Sequence, residues 1–295
     1  AKDEPSPDSL VETPKKNSLE PIPQKPISDQ AAESQPTIKS ATSVSGIQLT
    51  SQTWSGNVEI TGNVIFPPWA TLNILPGTKI TFLKKPDMSI LDTPWTSAAD
   101  AYIKDHNDPT GRTGYGDTHF SIIGVIKALG TKESPIIFTS AQDSPEYADW
   151  KQITLLGGSK LDFVEVSYAH NGVTINGDNV AITNSKIHDS LWSCVDIFSS
   201  GNIIRDNEIY HCWHQAVGVK VSGSNVIENN YVHDANSGVN CENDSNASIL
   251  ANHFAAAPVH QAGCFLAADN QFDNREQDVP GGTYNGALVY PAQRP

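Results

Sequence analysis

The sequence predicts an all-β solenoid, a stack of coils made of short strands, and three observations support that prediction. One pattern recurs six times between residues 161 and 272: an apolar residue, two others, Asn in most copies, one other and a second apolar residue. A period near 22 residues is too short for a pair of helices and suits one coil of short strands. Upstream, residues 46–157 carry strand-like apolar runs separated by turns. The second apolar residue recurs with spacings of 21, 22, 23, 22 and 18 residues at Val166, Ile187, Ile209, Val232, Phe254 and Phe272.

Stacking of these coils predicts rows of equivalent residues along the solenoid axis. One coil cannot bury its own apolar face, so it must lie on the next coil about 4.8 Å away. We expect Asn207, Asn230 and Asn252 to stack as an amide ladder at a bend. A second ladder is predicted from Asn179, Asn202, Asn225 and Asn246.

Two upstream stretches extend the pattern, GNVIFPPWATLNILPGTKITF at 62–82 and IKALGTKESPIIFTS at 126–140. Together with the Asn-containing coils, they resemble the right-handed parallel β-helix repeat proteins of the pectin-lyase-like superfamily, which includes the NosD-like periplasmic group. The resemblance spans roughly residues 46–290 and implies a right-handed parallel β-helix. It says little about activity, because this fold carries lyases, hydrolases, epimerases, adhesins and plain scaffolds.

The first 45 residues form a different kind of segment. They contain seven of the 19 prolines and no aromatic residue, and such a composition cannot bury enough apolar surface to offset its ordering entropy. We predict a disordered, extended Pro-rich tail over 1–45, which tethers the body to a cell envelope or a partner, or supports self-assembly. The β-helix is predicted over 46–295.

The coil rhythm is interrupted at about 86–119, which is too long for a simple turn. This inserted loop is a candidate lid or cation-binding loop, with calcium as the cation considered, although its Asp spacing does not fit an EF-hand. The alternative is a solvated loop without a ligand. Its polar residues of interest are Asp105, His106, Asn107, Asp108, Asp117 and His119.

Four cysteines lie in the coil region, and they permit three complete pairings. Cys241 and Cys264 are 23 residues apart, about one coil, so they are candidates for a disulfide bond if their side chains converge. The alternative is that the thiols are small buried groups in the core. The other two cysteines are Cys194 and Cys212.

The charge of the chain limits its partners. A formal net charge of −14 argues against nucleic acid and anionic membrane surfaces, and it disfavours a polyanionic polysaccharide unless a cation or a basic patch offsets the repulsion. No apolar run approaches the length of a membrane span, and no signal peptide is visible at Ala1. We expect a mature or trimmed product, and the resemblance and the tail imply an extracellular, periplasmic or cell-surface location.

Candidate chemistry first appears where the row of Ile187 and Ile209 ends. Two positions further on, Asp189, His211 and Asp234 share one row, so His211 would lie between two carboxylates, which favours its imidazolium form. The row between is predicted to hold His188, Tyr210 and His233. Alternation would turn His211 inward unless the chain has already entered a bend.

Three functions fit this row. Asp189, His211 and Asp234 suit general acid–base catalysis on a sugar, and the two carboxylates also suit inverting glycosidase chemistry. A transition metal such as copper is the third option, with nitrogen donors from His188, His211, His214 and His233. The non-functional alternative is that the row stabilises the turns by hydrogen bonding.

The next strand supplies a second candidate set. The Val173, Val195, Val217 and Val239 row should point inward, as should the row of Ile175, Ile197, Val219 and Cys241. Alternation then turns a row of four residues outward, Thr174, Asp196, Gly218 and Asn240, followed by a second row, Asn176, Phe198, Lys220 and Glu242. We expect Lys220 to pair with Glu242. Asp196 and Lys220 join the candidate catalytic residues. The resemblance to β-helix lyases implies a basic catalytic residue, but the only Arg within the regular coils is Arg205, on another face, which disfavours a uronate lyase.

Possible substrate contacts are Trp192, Tyr210, Trp213 and Asn240. Exposed aromatic rings stack on sugar faces, whereas buried ones fill the core, and we expect one of the two Trp residues to be buried.

Three functional hypotheses follow. The first is a secreted or cell-surface protein that binds or processes a polysaccharide on the His/Asp face of residues 188–242, as a lyase, hydrolase or epimerase. The second is a non-catalytic envelope or filament protein that uses its tail for attachment. The third, implied by the resemblance alone, is a periplasmic copper-binding module. Calcium and copper are the cofactors under consideration.

Overall fold

The computed structural model of the chain describes residues 37–84, 120–242, 245–261 and 264–273. These residues form 24 strands and no helix, and the strands join in one continuous sheet in which every inter-strand ladder is parallel. The strands are β1 Thr37–Ile47, β2 Gln52–Ile65, β3 Thr71–Ile74, β4 Lys79–Phe82, β5 Ser121–Leu129, β6 Ile136–Ser140, β7 Gln152–Leu155, β8 Lys160–Asp162, β9 Val164–Ser167, β10 Val173–Ile175, β11 Ala181–Thr183, β12 Lys186–Ser190, β13 Ser193–Ile197, β14 Ile203–Arg205, β15 Glu208–Cys212, β16 Gln215–Val219, β17 Asn225–Glu228, β18 Tyr231–His233, β19 Val239–Cys241, β20 Ala247–Leu250, β21 His253–Ala255, β22 His260–Gln261, β23 Phe265–Leu266 and β24 Gln271–Asp273.

Each coil contributes one strand to each of three faces. Face A stacks β3, β8, β11, β14, β17, β20 and β23. Face B stacks β4, β6, β9, β12, β15, β18, β21 and β24. Face C stacks β7, β10, β13, β16, β19 and β22. The long strand β2 contributes to all three faces and β5 to faces C and A. The parallel β-helix architecture predicted from the repeat is therefore confirmed.

The predicted register of face B is also confirmed residue by residue. The pairs that align along the stack are Val166 with Ile187, Ile187 with Ile209, Ile209 with Val232, Val232 with Phe254 and Phe254 with Phe272. The register is fixed because a slip of one residue would turn every inward side chain to the outside.

The core runs through the middle of the solenoid. The two inward rows predicted for face C are buried: none of their eight members is more than 2% exposed. In the first coils the core is aromatic, and Trp150 stacks on Phe82 with ring centroids 3.9 Å apart. Burial of these rows is the main source of stability, since no single coil has a core of its own.

The predicted Asn ladder on the corner between faces A and B is confirmed. Asn207 Nδ2 donates to Asn230 Oδ1 at 2.9 Å, and Asn230 Nδ2 donates to Asn252 Oδ1 at 2.9 Å. Asn252 extends the ladder to Asn270 at 3.1 Å. Each amide also satisfies a backbone group of the turn, as in the bond from Asn230 Nδ2 to Ile204 O.

The second predicted ladder is only half right. Asn202 Nδ2 donates to Asn225 Oδ1 at 3.0 Å, but Asn179 and Asn246 do not belong to this row. Asn225 aligns with Ala247, and Val180 donates its backbone N–H to Asn202 Oδ1 at 2.9 Å. Asn179 and Asn246 therefore lie one position earlier in their coils than the ladder requires.

The first strand begins earlier than the composition suggested. β1 starts at Thr37, inside the segment assigned to the tail, and runs parallel to β2. Main-chain hydrogen bonding needs no large apolar side chains, so a segment poor in them can still extend the sheet. Residues 1–36 and 85–119 lie outside the described residues, so the tether and the inserted calcium or lid loop stay predictions.

All four cysteines are bonded. The predicted Cys241–Cys264 disulfide is confirmed, with Cα atoms 6.1 Å apart, and Cys194 bonds Cys212 with Cα atoms 5.6 Å apart. The buried-thiol alternative is therefore wrong. Each disulfide links two adjacent coils. Within the part of the chain that the structure describes, no helix has the length and apolar character needed to cross a membrane.

Candidate functional site

The strands of face B carry a chain of acidic and imidazole side chains, most of them near the ends of the strands, which we call the carboxylate–imidazole ladder. Its members are Glu165, His188, Asp189, Glu208, His211, His233 and Asp234. Asp189, His211 and Asp234 have φ values of 50°, 50° and 49°, so the backbone leaves the extended conformation at these three positions. The chain therefore bends at His211, which was the condition for this side chain not to point into the core.

His211 occupies the predicted position between two carboxylates. Its Nδ1 lies 3.3 Å from Asp189 Oδ1, and its Nε2 lies 4.0 Å from Asp234 Oδ2. The side chain is only 8% exposed. Tyr147 adds a hydroxyl donor, since its Oη lies 3.4 Å from Asp189 Oδ1.

His188 and His233 complete the ladder and cover Tyr210. His188 Nδ1 lies 2.7 Å from Asp189 Oδ2, and His233 Nδ1 lies 2.9 Å from Asp234 Oδ2. Their imidazoles stack on opposite faces of the Tyr210 ring, at centroid distances of 4.7 and 4.8 Å. Both faces of Tyr210 are thus occupied, so the ring does not offer a stacking surface to a sugar, contrary to the sequence-based expectation.

The ladder shifts the pKa values of its members. Burial opposes protonation of His188, but hydrogen bonds and charges from Asp189 and Glu165 outweigh it, so the pKa of His188 is raised. Burial opposes ionisation of Asp189, but hydrogen bonds from His188 and His211 outweigh it, so the pKa of Asp189 is lowered. The hydrogen bond from His188 also lowers the pKa of Glu165. Folding therefore favours the charged forms of these three groups.

This shift pattern predicts how stability depends on pH. The raised pKa of His188 contributes stability that is complete below 6.5 and lost as pH rises through the folded value. The lowered pKa values of Asp189 and Glu165 contribute stability that is complete above 3.8 and 4.5, and lost as pH falls. We therefore expect the stabilising effect of the ladder to be greatest between pH 4.5 and 6.5.

Urea unfolding of the wild type and of His188→Gln across pH checks this prediction. The free energy of unfolding of the wild type should exceed that of the variant by less and less as pH rises above 6.5. His253→Gln, which removes a more exposed imidazole paired with Asp273, serves as the control. Parallel pH curves for the wild type and His188→Gln would contradict the prediction.

The four histidines predicted to bind a metal do not converge. His188 and His233 are separated by the Tyr210 ring, and His214 stacks on Trp192 with centroids 4.0 Å apart. Across the described ranges, no three His, Cys, Asp or Glu side chains form a group suited to a metal ion. The ladder's carboxylates instead lie beside its imidazoles as ion-pair partners.

The two tryptophans near the ladder differ in exposure, as expected. Trp213 is 3% exposed, so it fills the corner between faces B and C. Trp192 is partly exposed, and its ring lies 6.4 Å from that of Trp213. Of the two rings, that of Trp192 is the more exposed.

A second site lies on the outside of face C, in an open groove of about 390 Å³. The groove is lined by polar side chains and one exposed aromatic ring, from Gln152, Asn171, Thr174, Asn176, Asp196 and Phe198. Phe198 is 48% exposed. The outward row predicted for this face is confirmed, because Thr174, Asp196, Gly218 and Asn240 align in order.

Asp196 is the unusual residue of this groove. It belongs to an outward row, yet it is only 3% exposed, because neighbouring side chains cover it. Asn171 Nδ2 donates to its Oδ2 at 2.8 Å, and Gln215 Nε2 donates to its Oδ1 at 2.8 Å. Burial raises the pKa of Asp196, and the Lys220 charge together with the side-chain hydrogen bonds offsets this effect only in part.

Lys220 links the groove to Glu242. Its Nζ lies 3.9 Å from Asp196 Oδ1 and bonds Glu242 Oε1, which confirms the predicted Lys220–Glu242 pair. The candidate catalytic residues thus separate into two groups: Asp189, His211 and Asp234 belong to the ladder, and Asp196 and Lys220 belong to the groove on face C.

Two residues that contact Asp196 were not predicted from the sequence, Asn171 and Gln215. Both lie where a corner meets face C, and neither belongs to a repeated row of similar side chains. Phe198, in contrast, lies on the outward side that alternation predicted for it. One residue, Gly218, nevertheless indicated that another group approaches this strand closely. A glycine in the interior of a strand marks the close approach of another group, and here that group is the Gln215 side chain.

These three stacked faces define a parallel β-helix repeat protein. In agreement, residues 149–276 match the family described as "Right handed beta helix region". A search of curated proteins finds no match.

Among solved structures, the chain is similar to the one described as the crystal structure of the periplasmic alginate epimerase AlgG. The identity is 15% and the TM-score is 0.32. The comparison covers 74% of this chain and 60% of the other, so this chain spans less than two thirds of that protein.

Proposed function

We propose that this protein is a polysaccharide-processing enzyme that binds its substrate in the groove on face C and uses Asp196 for proton transfer. The observation that supports this proposal most is the state of Asp196, a carboxyl group on an outward row that is only 3% exposed and lines an open groove. Buried carboxyl groups with perturbed pKa values are concentrated at functional sites.

The raised pKa of Asp196 suits a general acid. A carboxyl group that holds its proton at higher pH than usual can deliver it to a leaving oxygen. In a glycoside hydrolysis, the Asp196 proton would pass to the glycosidic oxygen as the carbon–oxygen bond breaks. Water would then add to the sugar carbon and give one proton back to the Asp196 carboxylate, which restores the acid. Lys220, 3.9 Å from Asp196, would stabilise the carboxylate between these two proton transfers.

The lining of the groove suits a hydroxyl-rich ligand. Gln152, Asn171 and Asn176 carry amides that can both donate and accept hydrogen bonds, and Thr174 carries a hydroxyl group. The exposed ring of Phe198 offers the stacking surface that Tyr210 does not. The groove holds no arginine, and its neighbouring lysine is already paired with Glu242, so we favour a neutral polysaccharide over a polyuronate.

The disulfides support the proposed location. Disulfides form and persist in oxidising compartments, and both pairs of cysteines are bonded here. An extracellular, periplasmic or cell-surface protein fits this observation, and polysaccharides and cell-envelope components are available there as partners.

The test is turnover of a panel of neutral and acidic polysaccharides, and the release of reducing ends measures that turnover. Asp196→Asn keeps the shape of the side chain but removes the acid, so we expect turnover to fall about 10²- to 10⁴-fold while binding persists. Asp143→Asn, at an exposed position, is the matched control. The proposal fails if no polysaccharide is turned over, or if Asp196→Asn retains wild-type turnover.

A second candidate function is a non-catalytic envelope or filament protein. The observation that favours it is the carboxylate–imidazole ladder, whose imidazoles are engaged with carboxylates, as expected of a row that stabilises bends. In that case the wild type would bind and turn over none of the panel. A copper-binding module has no support from a convergent ligand set among the residues described.

A further inference from the structure

We propose that Gln215 is the positioning residue for Asp196. We also propose that position 218 must be glycine, because a side chain there would block the path of the Gln215 amide to Asp196. This inference rests on the proposed function of Asp196. Neither residue belongs to the candidate set that the sequence defined.

Gln215 makes a direct hydrogen bond to one carboxylate oxygen of Asp196. Gln215 is completely buried, and its Nε2 donates to Asp196 Oδ1 at 2.8 Å and to Ser193 Oγ at 3.0 Å. In the register of face C, Gln215 aligns with Ser193, and Gly218 aligns with Asp196. The Gln215 side chain therefore runs along its own strand, over Gly218, to reach the residue above.

Gly218 provides the space for that path. A Cβ atom at this position would lie 2.1 Å from Gln215 Nε2 and 2.5 Å from Asp196 Oδ1, distances that no pair of such atoms adopts. The backbone of Gly218 is not left-handed, in contrast to Gly201 with φ of 73°. The absence of a side chain is therefore what this position requires, rather than the conformational freedom of glycine.

A further amide fixes the orientation of Gln215. Asn240 Nδ2 donates to Gln215 Oε1 at 2.9 Å, and this bond leaves Gln215 Nε2 pointing at Asp196. On the other side, Asn171 Nδ2 donates to Asp196 Oδ2 at 2.8 Å. Four consecutive coils thus contribute to one amide–carboxyl–amide chain, in which each oxygen of Asp196 receives one amide donor.

The chemical consequence is that Gln215 sets both the plane and the acidity of the Asp196 carboxyl group. A donor directed at a carboxylate favours its charged form, so Gln215 opposes the effect of burial. Loss of the donor should raise the pKa of Asp196 further and misalign the proton that it transfers.

Two variants test this role. Gln215→Met keeps the length of the side chain but removes the amide, and Gly218→Ala leaves the amide present but blocks its path. In both, we expect the Asp196 carboxyl group to titrate at higher pH than in the wild type. The readout is the carboxyl carbon shift in protein labelled at Asp, assigned by comparison with Asp196→Asn. Gln142→Met, at an exposed site, should titrate as the wild type does.

Turnover supplies the second readout. Misplacement of the acid should lower kcat about 10²-fold and leave KM unchanged, with the acid-dependent limb of the pH profile moved in the same direction as the titration. A purely structural role would lower the unfolding temperature without moving the titration. The inference is overturned if Asp196 titrates alike in the wild type and in both variants.

The titration separates this inference from the proposed function. If the wild type turns over no polysaccharide but the titration moves in the variants, the proposed function fails and the positioning role of Gln215 stands. If Gln215→Met or Gly218→Ala does not fold, Asn240→Leu, at a half-buried position, removes only the bond that orients Gln215. It should shift the titration in the same direction, and an unchanged titration in Asn240→Leu would overturn the inference.

Discussion

Replacing Trp150 with alanine should lower the free energy of unfolding by about 3 to 5 kcal/mol. Trp150 is completely buried, stacks on Phe82 at 3.9 Å and donates its indole N–H to Ser167 O at 2.9 Å. Alanine would leave a large cavity in the first coils and remove the hydrogen bond to Ser167 O. Urea unfolding followed by far-ultraviolet circular dichroism measures the loss.

The chain offers a matched control for this substitution. Trp69 is 73% exposed, although its indole N–H reaches Leu49 O at 3.2 Å. Trp69→Ala should therefore lower the free energy of unfolding by less than about 1 kcal/mol. Equal losses in the two variants would show that the aromatic core of the first coils does not stabilise the solenoid.

Replacing Asn230 with leucine should lower the free energy of unfolding by about 3 kcal/mol or more. The amide of Asn230 donates to Asn252 Oδ1 and to Ile204 O, each at 2.9 Å. Its Oδ1 accepts from the backbone N–H and Nδ2 of Asn207, at 3.0 and 2.9 Å. Leucine has the same number of side-chain heavy atoms as asparagine, with the same branching, but it leaves these buried partners unsatisfied, and each costs about 1 to 3 kcal/mol.

Amide hydrogen exchange tests whether the loss is local. Since each coil contacts only its neighbours, protection in Asn230→Leu should fall most in the coils that hold Asn207 and Asn252. Asn57→Leu, at an exposed position, should leave protection unchanged. Uniform loss of protection throughout the chain, or a loss of stability below about 1 kcal/mol, would contradict the ladder's proposed contribution.

The register of the coils was predictable because two separate patterns in the sequence indicate it. Ile187, Ile209 and Val232 mark the inward row, and Asn207 and Asn230 mark the corner beside it, so the two patterns check each other. Where only one pattern was available, the prediction was weaker. Asn179 fits a row of asparagines by residue type and approximate spacing, yet a coil that is one residue longer or shorter moves such a residue out of register.

The chemistry was harder to predict than the fold. Alternation correctly turned Asp196 outward, but outward-facing residues are normally exposed, and nothing in the repeat shows that Asn171 and Gln215 cover it. That burial depends on side chains from different coils folding over one another. In the same way, the row of His188, Tyr210 and His233 was predicted, but the covering of both faces of Tyr210 depends on side-chain orientation.

The two disulfides give the solenoid a mechanical property that the hydrogen-bonded faces alone would lack. A stack in which each coil contacts only its neighbours can be unzipped from one end, one coil at a time, by a pulling force. Because Cys241–Cys264 and Cys194–Cys212 each join adjacent coils, coils at these two places cannot peel away singly. The resistance of this protein to extension is therefore set partly by the redox state of its surroundings.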